Sequence, residues 1–388
     1  MKLAGKKILV IAPDFPYPAN HGGRLDIWGR IKTLAQLGLK IDLIVTTKDR
    51  VSSSDIEVVK QYVENIYLCK RVNRIIDVFS RLPLQMNSRK SLEQIKLSGT
   101  YHFALLESQY VFPIVRNHTL NAERIILRLH NDETAYFWEL AKSVRLGWKK
   151  VYYLLESYKF KLAEPELFKY LKNVMFISKD EMNAYHNRYA KLNSIFLPPP
   201  ISKKHCQISL ASRRVLFIGS LFMINNQDAI KWYIDHIHKL LTDIDGYEFI
   251  IVGNSRGECL EWLYKLIQNE KNIHVYDSPK ELEKFYENSS VFVNPMLHGA
   301  GVKLKTIEAI TNGLPVVSTT VGNQGTGLVN KEHIMITDDP KLYAKYIREF
   351  ILDSEKGKDI VRNGQKYLSE HYDQKFLLKK YLSALTGG

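Results

Sequence analysis

Short apolar runs alternate along the chain with longer stretches in which apolar residues recur every three or four positions. The first run is residues 7–12 (KILVIA), bounded by lysines and Pro13, and residues 41–47 (IDLIVTT) form a second. The stretch between them, residues 25–37, has helical spacing and ends at Gly38. This order predicts a βαβ unit, in which a buried parallel strand leads through a helix to the next strand.

The alternation continues along most of the chain with one interruption, the proline-rich segment 197–214. Before it, strands are predicted at 65–68, 103–107, 125–129 and 174–177, and a long helix at 145–170. After it, strands are predicted at 215–219, 248–253, 273–277, 290–295 and 315–319, and helices at 226–242, 258–268, 279–287 and 303–312. Proline continues neither a helix nor a central strand, so the interruption is interpreted as a linker. The pattern predicts an α/β protein with two doubly wound, Rossmann-like domains facing each other across a cleft.

Composition agrees with this organisation. The 388 residues suffice for two domains of about 100–200 residues, and the 45% hydrophobic and 25% charged fractions are typical of a globular protein. No apolar run reaches the roughly 18 residues of a membrane span, and Ile8–Ala12 is too short for a signal-peptide core. Cys69, Cys206 and Cys259 are far apart and lack zinc spacing, so we expect a reducing cytoplasm.

The positive charge is concentrated in the first half of the chain. The net charge is +14, and residues 1–200 contain 31 Lys and Arg against 19 Asp and Glu. This asymmetry indicates an anionic partner, and nucleic acid is disfavoured because no known binding module is present. Segments 145–172 and 71–90 combine basic and aromatic or apolar residues. The first is interpreted either as a helix on an anionic membrane surface or as a helix whose aromatic residues pack into the core.

Residues 294–325 contain the most informative motif. A predicted strand ends at Pro295, and the turn Gly299-Ala300-Gly301 leads directly into a predicted helix, with Gly313 at its C′ position. A glycine turn before a helix N-terminus favours an anion such as phosphate, and Lys303 and Lys305 add positive charge. Glu308, in the second helical turn, fits either a hydrogen-bond acceptor for a diol or an exposed residue paired with Lys305.

The sequence NPMLHGAGVKLKTIEAITNGLPVVST resembles the donor-site signature of glycosyltransferase family 4, a group of retaining enzymes with the GT-B fold. Similar segments follow the family order over nearly the whole chain, among them the opening IAPDFPYPANHGGR, the segment SRLPLQMNS, the His-Asn segment RLHNDETAYF and the strand and loop VLFIGSLFMINNQ. The final EHYDQKFLLKKYLSAL is similar to the helix that crosses back to the first domain. The expected domains are 1–198, joined by helix 371–388, and 199–370.

The resemblance implies transfer of a hexose-type sugar from a nucleoside diphosphate donor, with UDP favoured over GDP. It implies retention, and neither a metal nor a further cofactor. The acceptor is expected to be a glycan or lipid-linked saccharide bound by the first domain, in cell-surface polysaccharide or lipopolysaccharide assembly. Together with the basic first half of the chain, this suggests a cytoplasmic enzyme that is peripheral on the inner face of the membrane.

The resemblance also assigns roles to residues. Glu308 corresponds to the ribose-binding glutamate, His130 to the active-site histidine near the transferred sugar, and Gly22 and Gly23 to backbone N–H groups that approach the diphosphate or sugar. We expect the other donor contacts among Ser220, Asn225, Gly253, Asn254, Tyr276, Gly299, Ala300, Gly301, Val302, Lys303 and Lys305.

Two departures from the family pattern stand out. The first glutamate of the family's Glu-x7-Glu motif is Ala300 here, and Ser220 and Asn225 replace the Arg and Lys that follow the first strand of the second domain. The charge of the diphosphate is therefore expected to be met by Lys303 or Lys305.

There are three alternatives to a glycosyltransferase. A dinucleotide-dependent dehydrogenase is disfavoured because Pro-Asp-Phe-Pro stands where its glycine fingerprint is required. Another GT-B enzyme, such as a phosphorylase or a sugar-nucleotide epimerase, remains open. So does a non-catalytic GT-B binding protein, because the first glutamate and the Arg and Lys pair are missing.

Overall fold

The computed structural model describes residues 3–19, 22–48, 50–72, 74, 77, 79–144, 146–201, 212–279, 281–299 and 301–387. These residues form two compact units. The first contains the chain up to Pro200 together with the segment from Asp373 onward, and the second is Ile201–Tyr372. Most of the predicted linker, residues 202–211, lies outside the described residues.

The first unit is built on a parallel sheet with the order β3-β2-β1-β4-β5-β6-β7. Its strands are β1 (Lys7–Ala12), β2 (Lys40–Thr47), β3 (Asn65–Lys70), β4 (Thr100–Leu106), β5 (Asn121–Leu129), β6 (Asn173–Phe176) and β7 (Asn193–Phe196). The strand order changes direction between β1 and β4. In open α/β sheets, ligands bind beyond the carboxyl ends of the strands at such a switch point.

Helices cover both faces of this sheet. They are α1 (Gly22–Gln36), α2 (Ser53–Lys60), α3 (Leu84–Asn87), α4 (Glu133–Ser143), α5 (Trp148–Tyr170) and α6 (Lys179–Arg188). Alternate residues of β1 enter two different cores: Ile8 and Val10 pack on one face of the sheet, and Leu9 and Ile11 pack on the other. Because both faces are buried, the strand is a continuous apolar run, as its sequence predicts.

The second unit contains a parallel sheet with the order β10-β9-β8-β11-β12-β13. Its strands are β8 (Arg214–Ile218), β9 (Glu248–Gly253), β10 (Ile273–Asp277), β11 (Val291–Asn294), β12 (Val316–Ser318) and β13 (Met335–Ile336). Its helices are α7 (Ile224–His236), α8 (Glu261–Ile267), α9 (Glu283–Glu287), α10 (Leu304–Thr311), α11 (Pro340–Leu352) and α12 (Ser354–His371). Two parallel α/β sheets in tandem confirm the predicted fold class.

The last helix, α13 (Gln374–Thr386), packs in the first unit. Leu378 and Leu382 are fully buried in the core that also contains Ile8. Tyr381 donates a 2.8 Å hydrogen bond to the carbonyl of Asn193, and the Gln374 amide donates a 3.1 Å bond to the carbonyl of Pro198. These contacts fix the chain end against β7 and the residues that follow it.

Helix α5 has a buried face and an exposed face, so the core-packing interpretation of segment 145–172 holds for part of its aromatic residues, and the membrane interpretation stays a prediction. Phe160 and Phe168 are buried in the first unit, whereas Trp148 and Tyr158 are 75% and 59% exposed. Among the helices in the described part of the chain, none is long and apolar enough to cross a bilayer.

Candidate functional site

The predicted glycine turn precedes α10 in the second unit. Gly299 and Gly301 have φ angles of 129° and 80°, which a residue with a side chain rarely adopts. Between them, Ala300 lies outside the described residues. The ammonium of Lys303 is 2.9 Å from the carbonyl of Gly299 and 3.0 Å from that of Gly301. Lys303 is therefore engaged in holding the turn, and burial lowers its pKa to about 8.

The other end of α10 has the predicted glycine cap. Gly313 has a φ of 85° and its N–H donates to Ile310, while Leu314 donates to the carbonyl of Ala309. This pair of bonds is a Schellman motif with glycine at C′, which ends the helix at a defined residue. Val302, before α10, packs against the backbone at Gly325, where an added side-chain carbon would lie 3.0 Å from it.

Lys305 extends away from Lys303 toward the loop after β8. Its ammonium donates a 2.7 Å hydrogen bond to Oδ1 of Asn226 and lies 4.6 Å from the centre of the Phe217 ring. A side-chain carbon added at Gly219 would be 3.1 Å from this ammonium. Burial, assisted by the charge of Lys303, lowers the pKa of Lys305 to about 7.

Asn226 joins α10 to the loop after β8, whereas the residue predicted from the sequence is its neighbour Asn225. The buried amide of Asn226 accepts from Lys305 through Oδ1 and donates through Nδ2 to the carbonyl of Ser220, at 3.0 Å. Asn225 accepts from the backbone N–H of Asn226. The two residues are adjacent in sequence, so only their side-chain directions distinguish them.

Glu308 is exposed on α10. The alternative interpretation, an ion pair with Lys305, is not what the structure shows, because the Lys305 ammonium turns to Asn226. Desolvation by surrounding protein raises the pKa of the Glu308 carboxyl, and the charge of Lys305 opposes this rise. The carboxylate is thus open to a ligand.

The carboxyl ends of β9 and β10 lie beside the end of β8, at the same edge of the second sheet. Gly253 lies so close to the β8 strand end that an added side-chain carbon would be 1.8 Å from the carbonyl of Gly219. The side chain of Asn254 accepts a 2.6 Å hydrogen bond from the backbone N–H of Arg256, and its carbonyl accepts from Leu221. Tyr276 is 44% exposed and packs edge-on against Phe285.

In the first unit, His130 belongs to a buried network of charges that no sequence motif predicts. Asp26 accepts from Arg30, one helical turn along α1, and also from Arg128 on β5 at 3.0 and 3.1 Å. Arg30 also binds both carboxylate oxygens of Glu107 at 2.7 and 2.6 Å. Two carboxylates thus face two guanidinium groups, all fully or almost fully buried.

The imidazole of His130 is fixed against this network. Its Nε2 is 2.9 Å from the carbonyl of Glu107 and its Nδ1 is 3.4 Å from Oδ2 of Asp26. Burial lowers the pKa of His130 to about 4 despite the nearby Asp26 carboxylate, so the ring is neutral at pH 7. Because a carbonyl only accepts, Nε2 carries the proton.

The carboxylate and imidazole ligand atoms of Asp26, Glu107 and His130 lie within 4.8 Å of one another, which is close enough for a metal ion. The two carboxylates, however, already accept charged hydrogen bonds from Arg30 and Arg128. A divalent cation here would stand beside two guanidinium groups, so the donor set does not fit a metal site. We assign the network to positioning α1 and His130.

Gly22 and Gly23 form the first turn of α1 rather than the loop before it. The N–H groups of a first helical turn have no partner within the helix and point away from its N-terminus. Asp26 and Arg30, farther along the same helix, attach α1 to the buried network. The predicted glycine pair is thereby held at the ligand-binding edge of the sheet.

Comparison of the sequence with known proteins gives one matching family and one relative over most of the chain. Residues 212–353, within the second unit, match the family described as "Glycosyl transferases group 1". An uncharacterized 44.6 kDa protein in the cps region of Klebsiella pneumoniae is 36% identical over 382 residues, which are 95% of this chain and 97% of the relative.

Solved structures show the same architecture. TarM of S. aureus aligns with a TM-score of 0.72 and 11% identity, covering 98% of both chains. HepE of Anabaena, crystallised in complex with UDP-glucose, aligns with a TM-score of 0.66 and 14% identity over 99% of this chain and 100% of HepE. These likenesses, together with the two parallel-sheet units, show that the chain has the GT-B fold, and residues 212–353 of its second unit match the group 1 glycosyl transferases.

Proposed function

We propose that this glycosyltransferase moves a hexose from a UDP-sugar to a glycan or lipid-linked saccharide, with retention, during assembly of a cell-surface polysaccharide. Two comparisons support the substrate class and setting. HepE, with the same fold, was crystallised with UDP-glucose, and the 36% identical relative is encoded in a cps region.

The position of Lys305 is the structural observation on which this proposal depends. Family members are expected to provide Arg and Lys after the first strand of the second domain, where this chain has Ser220 and Asn225. Lys305 supplies an ammonium to the same loop from α10, beside Gly219 and bonded to Asn226. One cation in a partly dry site attracts a phosphate by several kcal/mol, roughly 4 at 4 Å and an effective dielectric near 20.

The proposed chemistry requires little covalent participation by the protein. As the bond to the sugar breaks, the leaving diphosphate gains negative charge, which Lys305 and the N-terminus of α10 stabilise. The exposed carboxylate of Glu308 would accept hydrogen bonds from the ribose hydroxyls. The leaving phosphate itself serves as the base for the acceptor hydroxyl, and no metal is invoked.

His130 and the glycine pair are the proposed contacts from the first unit. The neutral imidazole of His130, 18% exposed, donates from Nε2 to the carbonyl of Glu107, and this bond holds the ring in one orientation. A ring fixed in this way is suited to orienting a sugar hydroxyl and not to attacking the donor. The free N–H groups of Gly22 and Gly23 would bind the diphosphate or the sugar.

Helix α5 supports a peripheral location on an anionic membrane surface. Its exposed face is apolar at helical spacing: Trp148, Val151, Tyr158 and Leu162 are 75%, 61%, 59% and 50% exposed. Exposed lysines, among them Lys149 and Lys161, flank this face, a composition that suits the boundary between acyl chains and anionic headgroups. We infer that α5 holds the enzyme at the bilayer that carries its acceptor.

A thermal-shift panel with UDP, GDP, ADP, CMP and dTDP on the wild-type protein and Glu308→Ala tests the donor assignment. A nucleotide at about 100 times its Kd stabilises the protein by roughly 2.7 kcal/mol. We expect UDP to raise Tm and the rise to be lost in Glu308→Ala. A rise that survives the substitution would place the nucleotide elsewhere, and the absence of a rise with every nucleotide would favour a non-catalytic binding protein.

A further inference from the structure

Arg89 in the first unit is a buried cation bonded to neutral groups. It is 3% exposed, and its guanidinium donates to Oγ1 of Thr46 at 2.9 Å, to the carbonyl of Gln85 at 2.6 Å and to the carbonyl of Pro13 at 3.0 Å. Within the described residues, no carboxylate lies within 4.0 Å of it. An ion taken out of water without a counter-charge is costly, so such a site requires a compensating anion.

Arg71 supplies a second guanidinium group next to that of Arg89. Its Nε donates to Oγ of Ser88 at 3.0 Å and its Nη2 to Oε1 of Gln85 at 2.9 Å. The same Gln85 oxygen is 3.4 Å from Nη1 of Arg89, so the two cations share one acceptor. In the described part of the chain, Nη1 of Arg71 has no hydrogen-bond acceptor and Arg71 has no ion pair.

The two arginines lie at the ligand edge of the sheet. Arg71 directly follows the carboxyl end of β3, and Arg89 binds Thr46 near the end of β2 and Pro13 after β1. The charge of Asp14 acts on both arginines, but the ion pair of this acid is with Arg24, at 2.6 Å. The positive charge of Arg71 and Arg89 is therefore left facing the edge at which doubly wound sheets bind ligands.

A buried acid beside the pair does not neutralise it. Glu133 accepts a 2.6 Å hydrogen bond from the hydroxyl of Tyr110, whose ring lies 5.4 Å from the guanidinium of Arg89. Burial raises the pKa of Glu133 to about 8, so this carboxyl is largely protonated at pH 7. Burial and the charge of Arg71 also lower the pKa of Arg89 to about 9.

We propose that Arg71, backed by Arg89, binds an anionic group of the acceptor, a phosphate or a sugar carboxylate, at the β1–β3 edge of the first unit. This inference rests on the proposed function, in which the first unit receives the acceptor. Arg71 makes the direct contact, because its free Nη1 and its planar guanidinium suit two oxygens of one oxyanion. Arg89 is a positioning residue that fixes Gln85 and adds positive potential.

Inorganic phosphate and D-glucuronate are the probes, and binding is measured by thermal shift and calorimetry at pH 7. Because phosphate is also expected at the donor site, the comparison uses Lys305→Met against Lys305→Met/Arg71→Gln. We expect one of the two anions to stabilise Lys305→Met and to bind at least tenfold more weakly once Arg71 is replaced. Phosphate alone would identify a phosphorylated acceptor, and glucuronate alone an acidic sugar.

The matched control is Lys305→Met/Arg124→Gln. Arg124 is an exposed arginine in the first half of β5, away from the carboxyl edge, and its replacement is expected to leave anion binding unchanged. Equal binding with and without Arg71 would overturn the proposal, as would the absence of binding by both anions. The UDP response of the wild-type protein tests the donor site separately, so a failure of this proposal can be distinguished from a failure of the proposed function.

Discussion

The ammonium of Lys305 lies 2.7 Å from Oδ1 of Asn226, a residue 79 positions earlier in the chain. This contact places a cation from α10 beside the loop after β8. Nδ2 of the same Asn226 donates to the carbonyl of Ser220, so one amide fixes both the loop and the lysine. Lys303, only two residues away, is held instead by the carbonyls of the glycine turn.

The pH dependence of nucleotide binding follows from the pKa of Lys305, which burial lowers to about 7. Above that pH the free protein loses the ammonium charge, so we expect UDP affinity to fall between pH 7 and pH 9, by up to about tenfold per pH unit. Lys305→Arg retains its charge throughout and should flatten the profile. Calorimetry across this range measures both, and an equally steep fall in Lys305→Arg would assign the titration to Lys303 instead.

Asp26→Asn should destabilise the first unit. It leaves Arg30 and Arg128 buried with less counter-charge, and removing one partner of a buried ion pair costs about 3–5 kcal/mol. Urea unfolding at pH 7 measures the loss. Asp243→Asn is the control, because Asp243 binds Arg348 through both oxygens at the surface, and its replacement should have a much smaller effect.

The difference in stability between the wild-type protein and Asp26→Asn is also expected to depend on pH. Burial opposes ionisation of Asp26, but Arg128 and Arg30 outweigh it and hold the pKa of that carboxyl well below its usual range. Its contribution to stability is therefore present above the unfolded pKa, about 4, and is lost as the pH falls through the native value. The difference between wild type and Asp26→Asn should shrink below about pH 4. A constant difference down to acid pH would contradict the charge-based explanation.

Gly253→Ala should disrupt the meeting point of β8 and β9. The added carbon would lie 1.8 Å from the carbonyl of Gly219, so the backbone has to move, and overpacking of this kind costs about 1–3 kcal/mol or more. We expect a lower Tm together with weaker UDP binding. Gly147→Ala, where an added carbon meets nothing within 4 Å, is the control. Equal Tm values for the two variants would show that the strand ends separate easily.

The exposed face of α5 predicts binding to vesicles that contain phosphatidylglycerol. Trp148→Ser/Val151→Ser removes the two most exposed apolar side chains within α5 and should reduce cosedimentation several-fold. Phe376→Ser is the control, since Phe376 is 61% exposed on α13. Salt should weaken binding of the wild-type protein because the lysines contribute through charge. Equal cosedimentation of the two variants would exclude α5 as the membrane contact.

Several features followed directly from local sequence. Apolar runs of four to eight residues separated by helical patterns predicted two doubly wound sheets, and the structure confirms them. Gly313 was predicted to cap α10, and its φ of 85° confirms the cap. Two edge strands were missed: β7 is only partly buried, and β13 has two residues, so neither produces a strong apolar run.

Only the tertiary structure shows which residues come together at the candidate site. Asp26 and Arg128 are 102 residues apart, and neither belongs to a motif that predicts their contact. The sequence left Lys303 and Lys305 equivalent, and it left the aromatic residues of α5 either buried or exposed. Periodicity and caps depend on neighbours within a few positions, so the sequence alone determined the elements. Charge pairing and side-chain direction depend on which strand ends meet, and only the folded sheets bring those residues together.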